Sequence, residues 1–202
     1  MNLELTIQKI VADDSIHAKW LNTLSMMENS GAKKISASEH PTQVNIIILK
    51  HAAEEARHAY YLKKQLSKLK HTGCEDYTYK NILAPVQSYQ YLHRLDTHLS
   101  RYIQEKLQLT GYELRYAAYL LVTYAIEVRA DSLYEIYQSA LKSVNSKVTV
   151  KSIIMEEIGH LEEMTKQLIA FSENWKEYAD FAITLEKQLF TKWITQVEAE
   201  LN

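Results

Sequence analysis

Two segments of the chain combine metal-ligand side chains with an apolar face, Glu55-x-x-His58 and Glu157-x-x-His160. In both, the neighbouring apolar residues are spaced alternately three and four apart, which is the spacing that buries one stripe of a helix in a bundle. Burying an ionised carboxylate costs several kcal/mol unless a partner compensates its charge. The two patterns therefore predict a buried site at which carboxylates and imidazoles meet.

A single glutamate precedes each pattern on the buried stripe of another predicted helix. Glu28 lies 27 residues before Glu55, and Glu127 lies 30 residues before Glu157. A helix advances about 1.5 Å per residue, so each interval is long enough for a helix, a turn and a second helix that returns to the same height. The spacing predicts two antiparallel hairpins that, docked face to face, bring all six side chains together.

The charge of such a cluster favours a pair of metal ions. Four converging carboxylates would repel one another and be driven to protonate, whereas two divalent cations would cancel their charge. Two neutral imidazoles would complete the ligand shells. Oxygen and imidazole ligands without a thiolate favour iron or manganese over structural zinc. We therefore expect two metal ions per chain, iron first, with manganese or a mixed manganese–iron pair as alternatives.

The elements that must position these residues are long amphipathic helices within one domain, residues 1–202. Only 4 Gly and 2 Pro occur in 202 residues, which leaves little room for the many tight turns of an all-β chain. Ser15 is expected to cap the first helix. The four core helices are predicted at about 16–34, 43–70, 112–143 and 148–171. A crossover helix is predicted at about 86–108 and a C-terminal helix at about 175–201, so the fold class is all-α.

Composition narrows the class of protein further. A formal net charge of −2 provides no basic field for nucleic acid or an anionic membrane. The single cysteine excludes a disulfide framework and a CxxC metal site. No apolar stretch approaches the ~20 residues that span a bilayer, and the first residues lack the pattern of a secretory signal. We expect a cytoplasmic protein.

The repeated order of Glu followed by Glu-x-x-His resembles the ferritin-like di-iron carboxylate proteins. The resemblance covers the predicted core helices, about 16–70 and 112–171. The segment EEARH at 54–58 also resembles the family's fuller [DE]-E-x-R-H form. The segment EEIGH at 156–160 departs from it, with Gly159 where the family often has Arg. The long crossover with its own helix and the additional C-terminal helix resemble the oxidase and oxygenase branches more than the storage ferritins.

The resemblance implies a set of metal ligands and of residues that support them. The six implied ligands are Glu28, Glu55, His58, Glu127, Glu157 and His160. Glu55, together with Glu127 or Glu157, would bridge the two ions. Acidic neighbours would accept the second N–H of each imidazole and fix its tautomer. These neighbours are Glu54, Glu156 and Asp131.

Other side chains on the same stripes have two interpretations each. His51 lies one turn before Glu55, where it would be an outer-shell or substrate-facing residue or a hydrogen-bonded core histidine. Tyr124 and Tyr134 lie one and two turns from Glu127, where they would be redox-active phenols or aromatic core packing. Glu163 is expected on a hydrated face.

The function implied is activation of dioxygen by the metal pair to oxidise or hydroxylate a substrate. The alternatives are iron oxidation with storage or detoxification, and a metal-free helical interaction protein. The implied partners are dioxygen, a small-molecule substrate and an electron donor. A homodimer is left open, and neither nucleic acid nor a membrane is expected.

Overall fold

A computed structural model describes residues 2–71 and 73–201, and this part of the chain is built from helices without a β-strand. The all-α prediction is confirmed. The seven α-helices in these residues are α1 Leu3–Ala12, α2 Asp14–Ala37, α3 Ile46–Gln65, α4 Pro85–Leu107, α5 Gly111–Ser143, α6 Lys151–Phe171 and α7 Trp175–Ala199. None of the described helices is long and apolar enough to cross a bilayer.

The first helix, α1, was not expected from the sequence. Its residues Ile7 and Ile10 are fully buried, so the short N-terminal segment contributes directly to the core. It ends at Asp13, whose carboxylate accepts hydrogen bonds from the backbone N–H groups of Ser15 and Ile16. Asp13, and not Ser15, is therefore the N-cap of α2, because its short carboxylate reaches the unpaired donors of the new first turn.

Helices α2 and α3 form one antiparallel hairpin, and α5 and α6 form another. In the first, the Ser25 hydroxyl donates to the backbone carbonyl of Ala59, at 2.7 Å. In the second, Gln138 near the end of α5 accepts from the N–H of Val150, just before α6, at 2.9 Å. The returning helices therefore place residues that are about thirty positions apart at the same height.

The two hairpins are docked with α2 antiparallel to α5. His17, near the start of α2, lies 2.6 Å from the hydroxyl of Tyr137, late in α5. At the other end, the rings of His40 and Tyr112 are 4.8 Å apart. The 33 residues of α5 form the longest helix of the seven, about 50 Å at 1.5 Å per residue.

Helices α4 and α7 cover the face formed by α2 and α5. Lys34 of α2 pairs with Asp96 of α4 at 2.6 Å, and the indole of Trp193 in α7 stacks on Trp20 of α2 with ring centroids 5.6 Å apart. The turn from α4 to α5 reverses the chain through Gln108 (φ 55°) and Gly111 (φ 58°). The left-handed conformation at the second position suits glycine, which has no Cβ to clash.

Candidate metal centre

The six side chains predicted as ligands lie together between the two hairpins. Five of them are buried, and Glu28 is partly exposed. One group of ligand atoms, all within 4.8 Å of one another, comes from Glu55, Glu127, Glu157 and His160. A second group within the same limit comes from Glu28, Glu55 and His58. Glu55 belongs to both groups and therefore lies at their junction.

Two carboxylates lie between the two imidazoles. Glu157 Oε1 is 3.3 Å from His58 Nδ1, and its Oε2 is 3.3 Å from His160 Nδ1. Glu55 faces the same two nitrogen atoms at 3.8 Å each. Glu127 approaches only the second of them, with its Oε1 at 3.5 Å from His160 Nδ1. The cluster thus has two ends, each with one imidazole, and two carboxylates in the middle.

Several polar atoms of the cluster are buried without a hydrogen-bond partner among the described residues. They are His58 Nδ1, His160 Nδ1, Glu127 Oε2 and Glu157 Oε2. Buried polar atoms in folded proteins are nearly always paired, so four unpaired atoms at one place need an explanation. All four point into the cluster and are of the type that coordinates a metal ion.

The outer nitrogen of each imidazole is held by a carboxylate from the opposite hairpin. Glu156 of α6 accepts from His58 Nε2 of α3 at 2.8 Å, and Glu54 of α3 accepts from His160 Nε2 of α6 at 2.7 Å. These contacts leave both Nδ1 atoms facing the cluster, as a metal-binding tautomer requires. Glu54 and Glu156 therefore lie where the sequence placed them.

One residue beside these contacts differs from the expectation, and a second makes a contact that was not predicted. Asp131 is not a partner of either imidazole within the described residues, and it lines a surface pocket with Ile158 and Glu162. Four residues beyond Glu127 it lies about 6 Å further along α5, which places it past the cluster. Arg57 has no counterpart at Gly159, and it binds Glu156 through two hydrogen bonds of 2.6 Å.

His51 is a hydrogen-bonded neighbour of the cluster. It is fully buried, and its ring lies 4.7 Å from that of His160. Its Nε2 is 2.9 Å from Glu163 and its Nδ1 is 3.0 Å from the hydroxyl of Tyr119. Burial lowers the pKa of His51. Because Glu163 can only accept, Nε2 donates to it and the neutral ring accepts at Nδ1 from Tyr119.

Glu163 is partly exposed, and it also makes contacts with α3 that the sequence did not predict. It accepts from His51 on one oxygen and from Lys50 on the other, at 2.7 Å. The helical period had placed it away from the buried stripe of α6. The helical period of α6 gives no information about the neighbouring helix α3, whose long side chains contact Glu163.

The two tyrosines considered in the sequence are placed differently. Tyr134 is buried and its hydroxyl donates to the carboxylate of Glu28. Burial, and then the negative charge of Glu28, raises the pKa of Tyr134 well above its ordinary value, so the phenol keeps its proton. Tyr124 is only half-buried, and burial followed by the charge of Asp180 in α7 raises its pKa. Of the two, only Tyr134 touches the cluster.

The facing carboxylates raise the pKa values of both imidazoles of the cluster in the absence of metal. Burial disfavours the charge of His58, but the facing carboxylates of Glu157, Glu55 and Glu28 outweigh it and raise its pKa to about 12. Burial likewise opposes protonation of His160, and carboxylates led by Glu157 raise its pKa to about 9.

The same environment raises the pKa values of two of the carboxyl groups and lowers that of a third. Burial and the neighbouring carboxylates, Glu55 for Glu28 and Glu157 for Glu127, raise the pKa of both groups well above the ordinary range. Burial also disfavours the charge of Glu157, but contacts with Glu127 and the two imidazoles outweigh it and lower its pKa. In the metal-free protein these shifts favour proton binding at Glu28 and Glu127 and the charged form at Glu157.

A cavity of about 300 Å³ opens onto the cluster and had no signal in the sequence. It lies among α2, α4 and α5, and Glu28, Glu55 and Glu127 form part of its wall. A buried carboxylate of α7 was missed as well. Glu186 binds Arg129 of α5 through contacts of 2.9 and 2.8 Å and accepts from the hydroxyl of Tyr91.

No family model, curated protein or solved structure matches the chain. The interpretation of the centre therefore depends on its own geometry and chemistry.

Proposed function

We propose that the protein is a dinuclear metalloenzyme of the ferritin-like di-iron class, which uses dioxygen to oxidise or hydroxylate a small-molecule substrate. The observation that carries the proposal is the buried cluster of four carboxylates and two imidazoles, with four of its atoms unpaired. Within the fold, α2, α3, α5 and α6 would be the four-helix bundle, with α4 in the crossover and α7 as an additional helix.

The distances support a division of the ligands between two ions. Glu28 and His58 would serve one ion, and Glu127 and His160 would serve the other. Glu55 and Glu157 would bridge them, because each faces both imidazole Nδ1 atoms. The sequence had left open whether Glu127 or Glu157 is the second bridge, and these contacts favour Glu157.

The donor set fits two divalent cations. Four carboxylates would balance four positive charges, and both imidazoles would bind as neutral ligands. The absence of cysteine from the set favours iron or manganese over structural zinc. Bound as a ferrous pair, iron would supply the electrons with which dioxygen is activated.

The protein's own groups would orient the ligands and keep water away. Glu54 and Glu156 hold the imidazoles with Nδ1 inward, and Tyr134 holds the carboxylate of Glu28. The apolar walls of the adjoining cavity would exclude water from a bound substrate. A cavity of this kind beside the cluster favours an enzyme over a store for iron, which needs no substrate pocket.

Iron loading tests the proposal directly. The purified metal-free protein is loaded aerobically with Fe(II), desalted, and assayed for iron per chain and for its size in solution. We expect about two irons per chain on a small assembly, the number that the six-ligand arrangement implies. Glu157→Gln should lose stable binding, whereas Glu162→Gln, an exposed neighbour on the same helix, should not.

Each other outcome has a definite meaning. Tens of irons or more per chain on a large assembly would show that the protein stores iron and is not the proposed enzyme. No retained iron or manganese would refute the metal centre. Two ions retained by Glu157→Gln at unchanged affinity would show that the ligand set is wrong.

A further inference from the structure

The cavity beside the metal centre is long, and the cluster lies in its wall near one end. Glu28 and Glu127 line it there, and Phe190 and Trp193 of α7 also line it. From that point it follows the space among α2, α4 and α5 towards the end of α2, where Ser38 lies in its wall. The cavity is therefore elongated along the helices of the bundle.

Between these ends the wall is mostly hydrocarbon. Its apolar members include Met27, Ile35, Leu92, Ala118, Val122 and Ile126. Ligand cavities of about this volume, with apolar walls and a few polar groups, are typical binding sites for small molecules. Such a wall favours a ligand whose body is largely apolar, because transfer of that body from water is favourable.

The length of the cavity can be read from α5. Arg115, which also lines the cavity, precedes Glu127 by 12 residues, or about 18 Å of helix. Carbon–carbon bonds of ~1.5 Å advance an extended chain by roughly 1.25 Å each, so this distance corresponds to about 14 bonds. A chain of about a dozen carbon atoms spans it once the length of the Arg115 side chain is included. A linear ligand of that length would reach from Arg115 to the cluster.

Among the described residues outside the cluster, each charged side chain of the cavity wall forms an ion pair, with the exception of Arg115. Lys34 is bound by Asp96 at 2.6 Å, and Arg129 is bound by the buried carboxylate of Glu186. Arg115 is exposed and has no ion pair with any residue in the described part of the chain. The carboxylates of the cluster would repel an anion, so an anionic group is favoured only at the opposite, Arg115 end.

We propose that the cavity binds a linear, largely hydrocarbon molecule with one anionic head group, such as a medium-chain carboxylate. The head group lies against Arg115, and the tail extends to the carboxylate cluster. This inference depends on the proposed function only in calling that molecule the substrate, since binding itself needs no metal.

Binding is tested on the full chain, with dodecanoate as the probe and dodecan-1-ol as its uncharged equivalent. Affinities are measured by calorimetry and by the intrinsic tryptophan fluorescence, to which Trp193 in the cavity wall contributes, before and after iron loading. Both probes are kept below the concentrations at which they aggregate. We expect dodecanoate to bind about fivefold more tightly, which is the upper range for an exposed ion pair. Arg115→Gln should remove this preference, and Arg94→Gln, a change at an exposed arginine outside the cavity, should keep it.

A second pair of variants locates the ligand. A Cβ at Gly31 would meet no atom within 4 Å, and this residue lines the cavity, so Gly31→Leu fills the cavity from a helix that accepts the side chain. It should weaken both probes by about tenfold or more. Gly159→Leu is the matched control, because a Cβ there is equally free and the residue is exposed on α6.

The results separate this inference from the metal centre. Failure of dodecanoate to bind, equal affinity for both probes, or unchanged binding by Gly31→Leu would overturn the inference, whatever the iron content. Loss of iron binding with intact probe binding would overturn the proposed function and leave the cavity's ligand class in place.

Discussion

Binding of two divalent ions should release at least about two protons per chain at pH 7.5. Four of the six proposed ligands have raised pKa values without metal, namely Glu28, His58, Glu127 and His160. Metal ions bind the deprotonated forms of carboxylates and imidazoles, so each of these groups must give up its proton. Proton release therefore measures the environment of the cluster as well as its occupancy.

The number follows from the individual groups. With pKa values of about 12 and about 9, His58 and His160 are almost fully protonated at pH 7.5. The raised pKa values of Glu28 and Glu127, caused by burial and neighbouring carboxylates, can only add to this number. Two histidines with the ordinary pKa of about 6.5 would together release only about 0.2 protons at this pH. The difference between the two cases is far larger than the error of the measurement.

The assay is an anaerobic calorimetric titration of the metal-free protein with Mn(II), repeated in buffers with different ionisation enthalpies. The slope of the observed enthalpy against the buffer enthalpy gives the number of protons released. Glu127→Gln should release fewer protons, because the pKa of Glu127 is raised, and Glu162→Gln, at an exposed position, should match the original protein. Release of less than about one proton with two ions bound would refute the protonated cluster.

Three further predictions concern stability and are checked by thermal or urea unfolding. Raised folded-state pKa values mean that His58 and His160 stabilise the metal-free fold below pH 6.5 and cease to do so as the pH rises through the folded-state values. The stability of the metal-free protein should therefore fall by about 2 kcal/mol per pH unit between pH 6 and pH 9, and a melting temperature that does not change with pH would contradict this. Tyr134→Phe should cost about 1–2 kcal/mol, because a buried hydrogen bond to a carboxyl group is lost, and an unchanged urea midpoint would show that this bond contributes nothing. Gly31→Ala and Gly159→Ala should each stabilise the protein by about 0.5–1 kcal/mol, since a Cβ meets no atom at either helical position, and destabilisation would disprove the free space.

The ligand cluster could be predicted because its signal is local. Glu55 and His58 lie one turn apart on an apolar stripe, and a charged residue on such a stripe needs compensation. The distance in sequence between Glu28 and Glu55 then fits a hairpin, so four helices and their common height follow from counting residues. The structure brings these side chains together, while their role as ligands remains the proposal that metal loading tests.

The features that were missed depend on contacts between helices. Glu163 and Glu186 both depart from the expected pattern of polar and apolar residues. Glu163 was expected on a hydrated face of α6, and Glu186 lies within the apolar stripe of α7. Each of these carboxylates binds a basic or phenolic side chain of another helix, such as Arg129. The spacing of residues within one helix gives no information about such contacts between helices. The cavity is also absent from the pattern, because a void is a property of how several helices pack.

Each hairpin provides a carboxylate that binds a histidine of the other hairpin, and this has a consequence for how the two halves assemble. Glu54 of the first hairpin orients His160 of the second, and Glu156 of the second orients His58 of the first. Neither half of the chain alone contains a complete ligand set with both imidazoles fixed. Ions that bind only the docked halves stabilise the docked state by mass action. The metal content of a preparation would then report the fraction of molecules in which the two halves have come together.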